Sequence, residues 1–426
     1  MKKRCFELEL ISPMAMGGAT AGQPDAWGLR PPSIKGVMRY WFRALAGGVM
    51  GTDPDAVEKL RDWEEAIFGS TDQGSSFRLR LVSWQKIDWI FKKIDYATFS
   101  FRKTKERPYN LKGFRYCSRA KLEISYHPAI IQRKGLSVDQ IDYLVSASLY
   151  LAVILGGFGS RSRRGVGSVS FTASDQNLVE RGFFNPAAYT DNDIDALCSK
   201  LKESLVNIRK KFSEFLCNGT ITAISGLPAF HVIHQDYIKI FISAEDINDT
   251  QELIEIYENA RKYYWAKGKR NKKIIPALGT DHDTIANLAN GIVPDKDNSP
   301  VLNKPALGLP LPYFFKGKVK IPKITLIASY GDCQNDRQAI NRRGSPVFLS
   351  FIRCGHRVHG CAVIFFSRFA GFHDQITICK AKESKDELTI PVGQALYANN
   401  RETLGKILDP LCSKFRDGGW TEINLA

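Results

Sequence analysis

The segment Gly156-Gly-Phe-Gly-Ser-Arg-Ser-Arg-Arg-Gly-Val-Gly-Ser168 combines a permissive backbone, hydroxyl groups and guanidinium groups within one short stretch. Glycine lets backbone N–H groups approach an anion closely, and arginine offers paired donors to phosphate oxygens. Gly156, Gly157, Gly159, Ser160, Arg161, Arg163, Arg164 and Gly165 are therefore candidate phosphate contacts. The spacing argues against nucleotide-cofactor loops. No Lys follows the glycines as a GxxxxGK[ST] loop requires, and a dinucleotide fingerprint needs glycine where Ser162 stands and a strand before it. No cofactor is expected. The same residues also read as a helix stop followed by a solvated turn.

A second constellation lies in Arg30-Pro-Pro-Ser-Ile-Lys-Gly-Val-Met-Arg-Tyr-Trp-Phe-Arg43. Lys35, Arg39 and Arg43 recur every four residues and so share one side of a helix. Such a basic stripe can meet successive phosphates, with Tyr40 or Phe42 as a stacking surface; its alternative is a solvated helix face. Helix N-terminal N–H groups near Ser33 and Lys35 would add to an anion site.

Other chemistry is thinner. Cys354-x-His-x-x-His-x-Cys361 holds four potential zinc ligands, Cys354, His356, His359 and Cys361, but closer together than zinc modules place them, and the flanking runs read as a hairpin. No metal is expected. His231 and His234 lack a third ligand, and Asp281 and Asp283 flank His282 without the second cluster a two-metal site needs. Arg342-Arg343-Gly344 and the run Lys267–Lys273 are further basic patches, each either RNA-tracking or solvated.

Elements must hold these groups in place. Phe6, Leu8 and Leu10 alternate with acids, which predicts a first strand, and a Gly/Pro-rich loop follows to Pro32. Ile34, Val37, Met38, Trp41 and Leu45 make one apolar helix face, with Ser33 as expected N-cap and Gly47-Gly48 as its end. An acidic helix over 55–67 and strands over 77–84 and 117–126 come next. Ser137-x-x-Gln140 is a capping box opening a helix to Gly156, and a strand over 165–172 closes the unit. Strand, helix, strand, strand, helix, strand is the βαββαβ order of a ferredoxin-like fold.

A long amphipathic helix through Ile194, Leu201, Ile208 and Phe215 reads as a connector. Strands over 237–243, 324–329, 347–354 and 362–367, with helices over 250–265 and 400–415, suggest a second, degraded copy of the fold. Pro410 sits inside the last helix. The expected fold class is α+β: two ferredoxin-like (RRM-like) βαββαβ domains with helical insertions, over residues 1–175 and 229–426, joined by a helical connector over 176–228.

The composition suits this. Hydrophobic residues make up 44% and charged residues 24% of the 426, so the chain is apolar enough to fold. Lys and Arg exceed Asp and Glu by 60 to 44, a formal charge of +16 that favours a polyanionic partner through counterion release. Nine cysteines without a CxxC pair argue against a disulfide framework and fit a reducing cytoplasm. No apolar run approaches the roughly 20 residues that span a bilayer, so no membrane partner is expected.

The first strand and its Gly loop, "LRPPSIKGVMRYWFRAL", "GGFGSRSRRGVGSV" and "RRGSPVFLSFIR" together resemble the RAMP superfamily of CRISPR proteins. Within it, the chain is most similar to the first-numbered subunits of Cmr (type III-B) effector complexes. The resemblance implies paired ferredoxin-like domains and a non-catalytic place near the 3′ end of the CRISPR RNA and its paired target RNA, beside other Cmr-complex subunits. It also implies RNA contacts for Lys35, Arg39, Arg43 and the Gly156–Ser168 loop. The rival within the superfamily is a metal-independent CRISPR-repeat endoribonuclease, whose general acid/base is typically a His near the first helix. None of His127, His231, His234, His282, His356, His359 and His373 falls in that helix or the loop, although Lys or Tyr can serve such a role.

Overall fold

The computed structural model describes residues 2–17, 28–90, 112–244, 311–314, 323–330, 338–340, 344–368, 376–379 and 401–425, with positions 285, 287, 290 and 307 between. The chain is a mixed α/β protein with several antiparallel sheets.

The first sheet contains β1 (Lys3–Leu10), β2 (Phe77–Gln85), β5 (Arg119–Tyr126) and β6 (Val169–Phe171), in the order β2-β5-β1-β6 with every pair antiparallel. The alternation in β1 turns Phe6, Leu8 and Leu10 fully inward. Between β1 and β2 run α1 (Pro31–Met50) and α2 (Pro54–Phe68); a small hairpin of β3 (Asp88–Ile90) and β4 (Lys112–Phe114) precedes β5. Between β5 and β6 come α3 (Pro128–Arg133) and α4 (Val138–Ile154). The capping box forms as expected: Ser137 Oγ accepts from the Gln140 N–H, and Gln140 Oε1 accepts from the Ser137 N–H.

After α5 (Gln176–Val179), α6 (Ile194–Cys217) leads to a second sheet. It contains β7 (Ile238–Ser243), β11 (Val347–Cys354), β12 (Arg357–Phe365) and β14 (Trp420–Ile423), ordered β11-β12-β7-β14 and again antiparallel. A third sheet joins β8 (Leu311–Phe314), β9 (Lys323–Tyr330), β10 (Gln338–Ile340) and β13 (Ile376–Cys379). Helix α7 (Arg401–Asp417) accommodates Pro410 and precedes β14, a strand that the sequence pattern did not reveal. In the first two sheets the strands, counted along the chain, stand in the order second, third, first, fourth.

One continuous core joins the two sheets, and α1 lies at its centre. Trp41 and Phe42 are fully buried. Trp41 meets Phe348 and Phe365 of the second sheet at 5.6 and 6.1 Å, while Phe42 packs between Phe68 and Phe212 at 5.6 and 5.9 Å. Phe42 is therefore core, the commoner role of a helix-borne aromatic, and not a stacking surface. Leu197, Leu201, Leu205, Ile208 and Phe212 of α6 belong to the same core, so this helix packs on α1 as well as linking what flanks it.

Other expectations shift in detail. Ser33 is not the N-cap of α1: the helix begins at Pro31, with Arg30 as cap and no side-chain capping bond. Pro31 and Pro32 fit the first turn, where no N–H is needed and φ is already helical. Gly47 and Gly48 do not end α1. They lie within it and let the segment 230–233 come close, since a Cβ on Gly48 would meet the Ile233 carbonyl oxygen. The closing strand shrinks to β6, because residues 156–168 pack as a loop. The helix expected over 250–265, the run Lys267–Lys273, the group 281–283 and Arg342-Arg343 lie outside the described residues.

Candidate nucleic-acid interface

The Gly/Arg loop leaves α4 and reaches the second sheet. The Gly165 N–H donates to the Leu349 carbonyl at 2.7 Å and the Leu349 N–H to the Arg163 carbonyl at 3.1 Å, a parallel bridge onto β11. Gly156, Gly157 and Gly165 are buried. A Cβ on Gly157 would sit 2.9 Å from the Gly167 carbonyl oxygen, and Gly167 adopts φ +81° against the Phe158 carbonyl. The glycines thus serve close backbone packing. Several loop N–H groups are already engaged: Ser160 with Ala15 at 2.7 Å, Arg164 with Arg161 at 2.8 Å and Gly167 with Pro13 at 2.9 Å. The exposed and half-buried part of the loop is Gly159 to Arg164, with Arg161 at φ +66°.

Arg163 points inward. Its Nη1 donates to the Ser345 carbonyl at 2.6 Å, and its guanidinium lies 4.3 Å from the Phe348 ring and 5.3 Å from the Tyr40 ring. Any side chain at Gly344 would collide with it. Arg163 therefore clasps the loop to the second sheet while lining a hollow of about 480 Å³ with α1, α2 and the segment 229–231.

Arg43, Arg61, Arg163 and Arg368 line this hollow, and among the described residues its only lining carboxylate is Glu64. Glu64 is shared, 2.9 Å from Arg43 Nε and 3.6 Å from Arg39 Nη1. Arg368 Nε donates to the Leu227 carbonyl at 3.2 Å. The result is a basic cleft where the first helix, the Gly/Arg loop and the second half of the chain meet.

The stripe on α1 is consequently divided. Arg43 faces this cleft, whereas Arg39 also donates to the Gly69 carbonyl and, with Lys35, lines a different hollow. Lys35 stands 4.9 Å from the Phe77 ring, and burial, reinforced by Arg39, pushes its pKa down to about 8. The evenly solvated basic face that the spacing allowed does not form.

Sequence analysis singled out none of Arg61, Glu64 and Arg368, and spacing did not connect His231 to α1. Its Nδ1 lies 2.7 Å from the Tyr40 hydroxyl, and its ring stacks on Phe365 at 4.8 Å. Burial pushes the Tyr40 hydroxyl pKa up despite Arg163 and Arg43 nearby. The sequence offered only the spacing of His231 and His234, a pair without the third ligand that a metal site needs. His234 instead lies beside Asp236 at 3.4 Å.

The cysteine and histidine group of residues 354–361 is the β11–β12 hairpin. His359 Nδ1 meets the Ser243 carbonyl at 2.9 Å, and burial pushes the Cys361 thiol up to about 12. Among the described residues no three His, Cys, Asp or Glu side chains converge as a metal site. Among the same residues no helix is long and apolar enough to cross a membrane.

Comparison with known proteins agrees with this architecture. The RAMP superfamily profile matches residues 7–170. The Pyrococcus furiosus CRISPR system Cmr subunit Cmr1-2 is 34% identical over 183 residues, covering 40% of this chain and 95% of that protein. The Cmr1-1 subunit of the same organism is 30% identical over 284 residues, covering 64% and 75%. The fold is similar to the crystal structure of apo Cmr1 from P. furiosus, with TM-score 0.57, 18% identity and 99% of each chain covered. It is also similar to a chain of the type III-B Cmr-beta complex solved by cryo-electron microscopy with cognate target RNA, AMPPnP and ssDNA, with TM-score 0.50 and 13% identity over 96% of this chain and 99% of that one. On the extent of these sequence matches, the chain belongs to the RAMP superfamily and, within it, to the family of CRISPR Cmr1 subunits.

Proposed function

We propose that this protein is a non-catalytic RNA-binding subunit of a cytoplasmic type III-B (Cmr) complex in antiviral defence. It contacts CRISPR RNA and target RNA near the 3′ end of the CRISPR RNA, beside neighbouring Cmr subunits. The observation that carries the reading is the basic cleft, in which Arg43, Arg61, Arg163 and Arg368 face a single carboxylate, Glu64. Arg43 is paired with Glu64 and Arg61 with Glu65 at 3.0 Å, so four guanidinium groups stand against two acids, an excess that favours a polyanion, and arginine suits phosphate oxygens. Ser160, Arg161 and Arg164 at the accessible part of the loop extend the contact, with Arg39 and Lys35 further along α1. Gly156, Gly157 and Gly165 act by letting the loop pack against its neighbours.

The framework of this reading is a pair of ferredoxin-like domains, residues 1–175 and 229–426, joined through 176–228. Its support is the shared strand order of the two sheets.

The test is photocrosslinking of 4-thiouridine CRISPR RNA in the assembled complex, with mapping of crosslinked peptides. Crosslinks are expected within residues 159–164 and beside Arg43 and Arg368. Their absence from all of these segments, with crosslinks to other subunits intact, overturns the reading.

A metal-independent endoribonuclease is the second reading, favoured by one observation: His231 meets Tyr40 of the first helix beside the cleft arginines. Against it stand the upward push on the Tyr40 hydroxyl and the Phe365 ring stacked on the imidazole. Labelled CRISPR repeat RNA incubated with the protein in EDTA distinguishes the two. Specific cuts that vanish in His231→Ala establish cleavage; intact RNA supports the binding role.

A further inference from the structure

On α1, one to two turns before Arg43, two hollows of about 480 Å³ each open side by side and share Lys35, Gly74 and Ser75. Arg39, Ser70 and Thr71 complete one; Arg78 and His127 belong to the other. Among the described residues no carboxylate lines either hollow. The turn between α2 and β2 is built rather than loose. Gly69 sits at φ +80°, where a Cβ would meet the Ser75 nitrogen at 2.8 Å, and the Ser70 N–H donates to the Gln73 carbonyl at 2.9 Å. Lys134 holds the same turn by donating to the Ala66 and Gly74 carbonyls at 2.6 and 3.2 Å.

Arg39 shares Glu64 at 3.6 Å, but among the described residues the other cations of this groove are uncompensated. Other cations on the first sheet have carboxylate partners: Lys3 and Arg80 meet Glu123, Lys121 meets Glu7 and Arg119 meets Glu9, all within 3.3 Å. Lys35, Arg78 and Lys134 have none among the described residues, and Lys134 is anchored only on neutral carbonyls. A basic patch that is merely solvated keeps its ammonium groups in water. Here Lys35 is half-buried against Phe77, and burial lowers the pKa of both Lys35 and Lys134. A bound anion would supply the missing countercharge, and the hydroxyls of Ser70, Thr71 and Ser75 can donate to its oxygens.

We propose that this groove is a second phosphate subsite, which takes a backbone phosphate of single-stranded RNA against Lys35 and Arg78, with Lys134 and the turn hydroxyls in support. The proposal rests on the RNA-binding reading above and gives the strand a direction. From Arg43 to Lys35 is eight residues of helix, about 12 Å at the usual rise. A strand leaving the basic cleft therefore follows α1 toward its N-terminus and crosses the turn before β2.

The test uses the full-length protein, a fluorescent single-stranded RNA dodecamer and three forms: wild type, Lys35→Gln/Arg78→Gln and Arg161→Gln/Arg164→Gln. Affinity is measured across a range of salt, with thermal melts as a folding control. Loss of two phosphate contacts should lower the salt slope of the K35Q/R78Q form by about 1.4, with roughly tenfold weaker binding at low salt. Acylation footprinting on unmodified wild type supplies a readout that needs no variant, and RNA should slow Lys35 modification several-fold. If K35Q/R78Q keeps wild-type affinity and slope and RNA leaves Lys35 acylation unchanged, while R161Q/R164Q is weakened, the groove proposal fails and the RNA-binding reading stands. If wild type neither binds the dodecamer nor protects Lys35, both fail.

Discussion

Arg163 should be a clasp between the halves of the protein as well as a cation of the cleft, and the two roles can be separated. Its removal forfeits a charge-assisted hydrogen bond to the Ser345 carbonyl at 2.6 Å, worth about 1.5–3 kcal/mol. The contacts with Phe348 and Tyr40, at 4.3 and 5.3 Å, add about 0.5–2 kcal/mol. Arg163→Ala should therefore lower stability by roughly 2–5 kcal/mol. If Arg163 also meets one RNA phosphate, its loss reduces the salt slope by about 0.7, so that raising salt from about 50 to about 200 mM weakens wild type about 2.6-fold more than the variant. Arg163→Lys keeps the charge but not the planar fork, so it should restore most of the slope and only part of the stability. The assays are urea unfolding at neutral pH and RNA titration at the two salt concentrations. An Arg163→Ala protein less than about 0.5 kcal/mol below wild type would refute the clasp, because that is the range of ordinary surface substitutions.

Three other perturbations test the frame around the cleft. Asp142 accepts from the Tyr126 hydroxyl and both meets Lys2 and Arg181 within 2.8 Å; burial works against its charge, but these partners hold its pKa at about 2, below the usual 3.8. The depressed pKa contributes roughly 2 kcal/mol that is complete above pH 4 and lost as pH falls toward 2; Asp142→Asn should cost about 3–5 kcal/mol at pH 7 and flatten this acid limb in urea titrations. Glu9, buried between Arg353 at 2.7 Å and Arg119 at 2.9 Å, ties the two sheets together, so Glu9→Gln should cost about 1–3 kcal/mol in urea unfolding at neutral pH and reduce the cooperativity of thermal unfolding measured by calorimetry. Gly167→Ala forces a side chain into φ +81° against the Phe158 carbonyl and should lower stability by more than about 1 kcal/mol in the same urea assay, whereas Gly219→Ala, at φ +84° with open space around it, should cost less.

Much of the fold could be read because local signals and tertiary packing agreed. The alternation in β1, the capping box of α4 and the apolar face of α6 each predicted the element that forms. The hairpin of β11 and β12 was likewise clear from two apolar runs around Gly355. Misreadings occurred where a local rule met a close approach. Gly47-Gly48 looked like a helix end, yet these glycines remain helical because the backbone of 230–233 packs on them. Strand β14 follows Gly418-Gly419 and carries few apolar residues, so periodicity alone gave no reason to extend the sheet.

Of the charged residues lining the cleft, the sequence singled out Arg43 and Arg163 but gave no sign of Arg61, Arg368 or Glu64, and the cause is the separation of its parts along the chain. Helical spacing placed Lys35, Arg39 and Arg43 on one side of α1, and that is where they lie. Spacing carries no information about Glu64, which takes up Arg43 and Arg39, or about Phe77 beneath Lys35. The glycines of 156–167 invited a phosphate-cradle reading because glycine permits close approach to any partner. Here the described partners are the protein's own backbone, at Ala15, Phe158 and Leu349. Gly344 makes the same point from the other side: it leaves room for a guanidinium more than 180 residues away by sequence, at Arg163, with the Ser345 carbonyl beside it. A site assembled from α1, the loop after α4, the segment around His231 and the start of β11 follows from how the two sheets share one core. Its chemistry was written in residue types, and its geometry only in the packing of Trp41, Phe348 and Phe365 that brings those segments together.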